Sequence, residues 1–170
     1  AGQRVTTSAG ADGRWLVHLP ARPASATPAE LVVEGENRIV VSDVLVGDVW
    51  LCGGQSNMQM SVRHARDAEQ ETTAAQYPLL RLFKVAAQFA STPAETVQGS
   101  WQPAAPATVG DFSAVAYFFG RDLQAAIGVP VGLIVSSYGN TPISTWRSSE
   151  ALAGDRIVRT WWERQRRAQP

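Results

Sequence analysis

Between residues 14 and 41 the apolar positions come in short runs, at 14–19, 31–34 and 37–41. They are broken by the proline-bearing stretch 20–28 and by the turn-like Gly35-Glu36-Asn37. Short β-prone runs separated by turn residues predict strands of an antiparallel β module. From Asp43 the pattern changes. Residues 44–51 are almost continuously apolar, which predicts a strand covered on both faces, and the run stops at Gly53-Gly54. Helix formers over 58–73 predict a helix that Tyr77-Pro78 closes, and residues 79–85 read as a second buried strand. Residues 90–108, rich in proline, read as a long surface loop holding Trp101. Val115, Tyr117, Phe118, Phe119, Leu123 and Ile127 then recur at helical spacing, with Asp111 or Ser113 as the cap and Gly128 as the stop. Residues 131–135 predict a third buried strand, and 148–168 a last helix ending in the basic run 164–167.

Strand, helix and strand in this order predict an α/β fold with a parallel sheet. Ligand sites in such sheets lie outside the carboxyl ends of the strands. The two most unusual loops, 52–57 and 136–146, each follow a predicted strand and are expected side by side on that edge. The change of pattern near Asp43 divides the chain into a partial β-rich module, 1–42, and an α/β part, 43–170.

Composition narrows the function. An apolar fraction of 45% supports a buried core, and 15 basic residues cancel 15 acidic ones with no basic stripe between aromatics. The footprint of nucleic-acid binding is therefore missing, and neutral substrates suit the chain better. The longest apolar runs fall far short of the roughly 20 residues that span a bilayer, so no membrane partner is expected. Cys52 is the single cysteine. It has neither a disulfide partner nor a companion for a metal pair.

A serine becomes a nucleophile when its hydroxyl is exposed on a tight turn beside a base, with N–H groups placed for the oxyanion. Gly53-Gly54-Gln55-Ser56-Asn57 meets the first condition. The glycines permit a sharp turn, and Ser56 at the start of the predicted helix would feel the positive end of that helix. The loop is not the G-x-S-x-G elbow of α/β-hydrolases.

The segment Gly47-Asp48-Val49-Trp50-Leu51-Cys52-Gly53-Gly54-Gln55-Ser56-Asn57-Met58 resembles the nucleophile block of the sialate O-acetylesterase family, a group of SGNH-type hydrolases. The resemblance continues through Leu80-Arg81-Leu82-Phe83, through Phe112-Ser113-Ala114-Val115-Ala116-Tyr117-Phe118-Phe119-Gly120, and through Ser136-Ser137-Tyr138-Gly139-Asn140-Thr141-Pro142-Ile143 with Trp146. It implies a three-layer α/β/α domain preceded by β modules, with no metal or organic cofactor, that removes O-acetyl groups from sialic acid or other acetylated sugars. A periplasmic or secreted location is also implied. Carried over to this sequence, Ser56 is the nucleophile and an oxyanion N–H donor, Gly139 is a second N–H donor, and Gln55, Asn57, Asn140 and Trp146 line the substrate.

The chain also departs from the family. No counterpart is found for the Gln-Gly-Glu type block or for the Asp-x-x-His block that supplies base and acid. The sequence is therefore expected to be a fragment of a longer enzyme, or one chain of a processed pair, with the C-terminal remainder as partner. Gly53 stands where serine is common, Gln59 where glutamate is common, and Asn140 where a second glycine is usual.

Plainer readings stand beside these. Ser56 would serve equally as a turn or cap serine. His64, eight residues on, would lie about 12 Å from Ser56 by helix rise and reads as a surface residue. His18 reads as a solvated strand residue, and Cys52 as an inert core thiol. Trp101 and Trp146 would stack on a sugar or cover the core edge. Arg147 would meet a substrate carboxylate or solvent, and Trp161-Trp162 would face missing parts of the domain. Against the esterase stand a non-catalytic carbohydrate- or partner-binding module and, more remotely, an acyltransferase.

Overall fold

A computed structural model describes residues 2–160 except 89, 91 and 158. The first strands, β1 (Ser25–Glu34) and β2 (Arg38–Val46), form a two-stranded antiparallel ribbon. Residues 14–19, expected as a strand, pair with no strand among the described residues. A short apolar run becomes a strand only where a partner takes its N–H and C=O groups. The proline-bearing stretch was expected to break the ribbon, yet β1 passes through Pro28. Proline there coincides with the register shift between Ser25 and Ala29, where a ladder bond is dispensable.

The apolar run 44–51 is divided at Gly47. Its first part ends β2, and its second opens β3 (Asp48–Gly54), which joins a four-stranded sheet in the order β3-β6-β4-β5. Here β4 spans Tyr77–Lys84, β5 Trp101–Ala104 and β6 Val131–Ser137. The pairings β3–β6 and β6–β4 are parallel, as the strand, helix and strand pattern predicts, while β5 adds antiparallel to β4. The expected surface loop thus contains a strand. Trp101 at its start packs on Phe83, with ring centroids 5.3 Å apart.

Helix α4 (Ala114–Ile127) crosses one face of the sheet. Ser113 caps it by accepting from the Ala116 N–H at 3.3 Å, and Gly128, in the left-handed conformation, ends it. Gly120 lets it approach closely: a Cβ there would lie 2.5 Å from Leu133 Cδ1. Under α4 lie Leu80, Leu82, Leu133 and Val135, with Tyr117 fully buried against them. The Tyr117 hydroxyl donates to Glu71 at 2.8 Å, and Arg121 completes the cluster at 2.7 Å from the same carboxylate oxygen. Burial, then this carboxylate, push the Tyr117 hydroxyl well above its usual pKa.

The opposite face is open over β3, while Trp101 covers Gly132 beside it. Val49 is 63% exposed and Leu51 73%, whereas Cys52, on the α4 side, is 8% exposed. A strand read as covered on both faces is therefore covered on one, and β3 also forms an edge of the sheet. The ribbon is tied to the sheet by Arg81, whose two terminal nitrogens meet the Asp43 carboxylate at 2.5 and 3.0 Å. That hydrogen bond, opposed by desolvation, holds the Asp43 carboxyl below its ordinary range.

The helix expected over 58–73 is three pieces: α1 (Ser56–Gln59), a 3-10 turn (Val62–His64) and α2 (Ala68–Ala74). The chain breaks because Val62 and Arg63 donate to Phe112 and Gly110 carbonyls at 3.0 Å, while Met60 accepts from Ala114 at 2.8 Å. These bonds draw the segment against the loop before α4 and interrupt the helical ladder. A short helix α3 (Pro106–Val109) follows β5. After β6 come a 3-10 turn (Ile143–Trp146) and α5 (Ser149–Ala153), with helical residues again at 156, 157, 159 and 160; the rest of the helix expected over 148–168 lies outside the described residues. Trp161-Trp162 and the run 164–167 lie outside the described residues.

Leu133 is fully buried between α4 and the sheet. Leu133→Ala is expected to cost about 2–5 kcal/mol, read from the urea midpoint.

Candidate active site

The parallel register of β3 and β6 runs to Gly53 opposite Ser136 and Gly54 opposite Ser137. Both strands therefore release their chains at the same edge, and the loops that leave it are neighbours. The Tyr138 N–H donates to the Gly54 carbonyl at 3.1 Å, which carries the pairing one step past the sheet. On this edge Gln55 is the N-cap of α1 and Ser56 its first residue, with the Ser56 side chain exposed. Because α1 is a single turn, the field of a long helix expected behind Ser56 is not available. What the loop offers instead is individual N–H groups.

Gln55 Oε1 accepts from the Ser56 N–H at 2.9 Å, from Ser56 Oγ at 2.5 Å and from the Asn140 N–H at 3.3 Å. One carboxamide oxygen thus gathers three donors from two loops that are 85 positions apart. The neighbouring Gly139 N–H turns elsewhere, donating to Gln59 Oε1 at 2.8 Å. Gly139 lies so close to α1 that a Cβ would sit 2.6 Å from that oxygen and 3.7 Å from Ser56 Cα. Asn140, with φ at 60°, is in the left-handed region that asparagine tolerates better than most residues.

Of the residues expected at the site, Ser56, Gln55, Gly139 and Asn140 are brought together. Asn57 lies exposed on α1. Trp146 is farther along the second loop, 38% exposed, with its indole N–H donated to Thr141 Oγ1 at 3.0 Å and Thr141 in turn bonded to the Tyr138 carbonyl. It braces the loop that carries Gly139 and Asn140. Trp101 packs over Gly132, five residues before the end of β3–β6 pairing and roughly 16 Å away by strand rise, so it does not face this edge. Arg147 is engaged by the Asp155 carboxylate at 3.1 Å and the Ala151 carbonyl at 2.9 Å.

Neither histidine joins Ser56. His64 Nδ1 lies 3.0 Å from Ser61 Oγ, and His18 is exposed outside any strand, contrary to the strand expected for it. Burial pushes the Cys52 thiol pKa up, in keeping with an inert thiol. No group of three His, Cys, Asp or Glu that could hold a metal ion occurs among the described residues. Gln59 is the residue whose part at this site sequence reasoning missed. Its place one helical turn after Gln55 was visible, but nothing in the pattern linked it to residue 139.

A serine on a strand, turn and helix, at the carboxyl edge of a parallel sheet and beside a second loop, occupies the usual ligand-site position of an α/β protein. Residues 46–168 match the family model described as carbohydrate esterase, sialic acid-specific acetylesterase, and the chain belongs to that family. It is 37% identical to the sialate O-acetylesterase of Rattus norvegicus over 95% of its length, and 36% identical to that of Homo sapiens over 88%. It spans 32% and 31% of those proteins, about a third of each. The crystal structure of a carbohydrate acetylesterase from Xanthomonas citri superposes with a TM-score of 0.85 at 42% identity, covering 92% of this chain and 36% of that one. The α/β class and the family expected from the sequence are both borne out.

Two measurements check the site. Gly139→Ala should break the bond to Gln59 and cost about 1–3 kcal/mol of stability in urea unfolding. Cys52 should react with a disulfide reagent slowly in the native protein and quickly in denaturant.

Proposed function

We propose that this chain supplies the nucleophile half of a serine carboxylic-ester hydrolase that removes O-acetyl groups from sialic acid or other acetylated sugars. The observation that carries the reading is the convergence of Ser56 with backbone N–H donors from two loops at the carboxyl edge of the sheet. Family membership gives that geometry its chemistry. Ser56 Oγ attacks the acetyl carbonyl carbon while its proton passes to a base. The tetrahedral oxyanion is held by N–H groups of the two loops, the sugar alcohol leaves with a proton, and an acetyl group remains on Ser56. Water then repeats the sequence, releasing acetate.

The base and its acidic partner come, in this proposal, from the C-terminal remainder of the same enzyme. The physical support is the uncovered side of the sheet. Val49 and Leu51 expose apolar surface on β3, which further strands and a second helical layer would bury. The β1–β2 ribbon, apolar at Leu31, Val32, Ile39, Val40 and Val41, belongs in the same reading to a separate β module.

The test is acetate release from a small activated acetate ester and from O-acetylated sialic acid, by this chain combined with that remainder. Activity should appear in the combination and fall by about three orders of magnitude or more in Ser56→Ala. A combined, folded protein with neither acetate release nor labelling of Ser56 would leave a glycan- or partner-binding role in place of the esterase.

A further inference from the structure

The second loop carries a chain of three hydrogen bonds that ends on the nucleophile strand. Trp146 Nε1 donates to Thr141 Oγ1 at 3.0 Å, Thr141 Oγ1 donates to the Tyr138 carbonyl at 2.7 Å, and the Tyr138 N–H donates to the Gly54 carbonyl at 3.1 Å. An indole N–H only donates, so the Thr141 oxygen accepts from it and the hydroxyl hydrogen is left for the Tyr138 carbonyl. Trp146 reaches back to Thr141 through the tight 3-10 turn between them, where the Thr145 N–H donates to the Pro142 carbonyl at 3.0 Å. The Tyr138 carbonyl and the Gly139 N–H belong to one planar trans peptide and point in opposite directions. A hydroxyl that holds the carbonyl therefore sets the N–H, which is directed at α1 and meets Gln59 Oε1 there at 2.8 Å. The peptide needs such a hold, because glycine at 139 tolerates either sign of φ and would let the plane turn over at little cost.

We propose that Thr141 and Trp146 are positioning residues for the ester hydrolysis. The indole orients the Thr141 hydroxyl, the hydroxyl clamps the Tyr138–Gly139 peptide, and the clamp keeps the N–H groups of the second loop turned toward the Ser56 loop. The assignment rests on Ser56 as the nucleophile proposed above. All three bonds lie within residues 138–146 or join that loop to the end of β3, so the clamp is built wholly from this chain. Trp146, expected from the sequence to line the substrate, then acts through Thr141 and not by stacking on the sugar. Its polar edge is committed to the loop.

Steady-state kinetics of the chain combined with the C-terminal remainder, on a small activated acetate ester and on O-acetylated sialic acid, test the clamp together with amide NMR. Thr141→Val keeps the side-chain shape and removes the hydroxyl. It should lower kcat by about tenfold on both esters, short of the roughly 10²–10³ that follows outright loss of an oxyanion donor, and leave KM within about twofold. Thr141→Ser restores the hydroxyl and should recover most of that kcat. Trp146→Phe keeps a ring and removes the N–H. It should lower kcat on both esters in the same sense by about threefold, because the Thr141 hydroxyl still reaches the carbonyl but is no longer oriented. In the NMR spectrum Thr141→Val should shift the Gly139 amide and leave that of Leu133, in the middle of β6, in place. Unchanged kcat in folded Thr141→Val, or an unmoved Gly139 amide, would overturn the clamp. A Trp146→Ala variant that raises KM for the sugar ester alone and keeps kcat would make Trp146 a sugar contact and overturn its part in the relay. Absence of both acetate release and Ser56 labelling in the unsubstituted protein would instead remove the nucleophile, and this inference with it.

Discussion

The site depends on the parallel pairing of β3 with β6. Hydrogen bonds continue to the last residues of both strands, Gly54 opposite Ser137, and the Tyr138–Gly54 bond extends them into the loops. Parallel strands end at the same edge, so this register alone brings a serine near residue 56 beside N–H groups near residue 140. A slip of one residue would turn alternate side chains to the opposite face and separate the donors from the hydroxyl. The buried side chains of β6, Val131, Leu133 and Val135, hold the register by fixing that strand against α4.

Two glutamines then do at the loop what backbone ladders do in the sheet. Gln55 and Gln59, one turn apart on α1, each reach across to the second loop, the first to Asn140 and the second to Gly139. Amide side chains suit this task because each carries a strong acceptor without a charge that would have to be desolvated. The one-turn length of α1 follows from the same local competition. Bonds from Met60, Val62 and Arg63 to the segment before α4 take the chain away from the helix direction.

The sheet is asymmetric in its covering. Its α4 face is close-packed, with Gly120 admitting Leu133 and a Tyr117–Glu71–Arg121 cluster satisfied at the rim. Its other face exposes Val49 and Leu51, and β3 leaves an edge open. A strand as apolar as β3 is at Val49, Trp50 and Leu51 is built for burial on both sides, which is the physical ground for expecting further protein against it.

Much of this was legible from residue order. The apolar runs located β3, β4 and β6, the helical period and its Ser113 and Gly128 punctuation located α4, and the glycine-flanked Ser56 with the Gly139 block pointed to the family. These features are local: periodicity, caps and turn residues act within a few positions. What only the tertiary structure decided depends on partners distant in sequence. Trp101 became a strand because β4 offered an edge, residues 14–19 did not because none was offered, and the helix over 58–73 broke because the loop before α4 took its hydrogen bonds. The direction of each N–H at Gly139 and Asn140 was settled the same way, by glutamine oxygens 80 and 85 positions away. A hydrogen bond's direction is a property of the folded contact, and the order of residues carries no local sign of it.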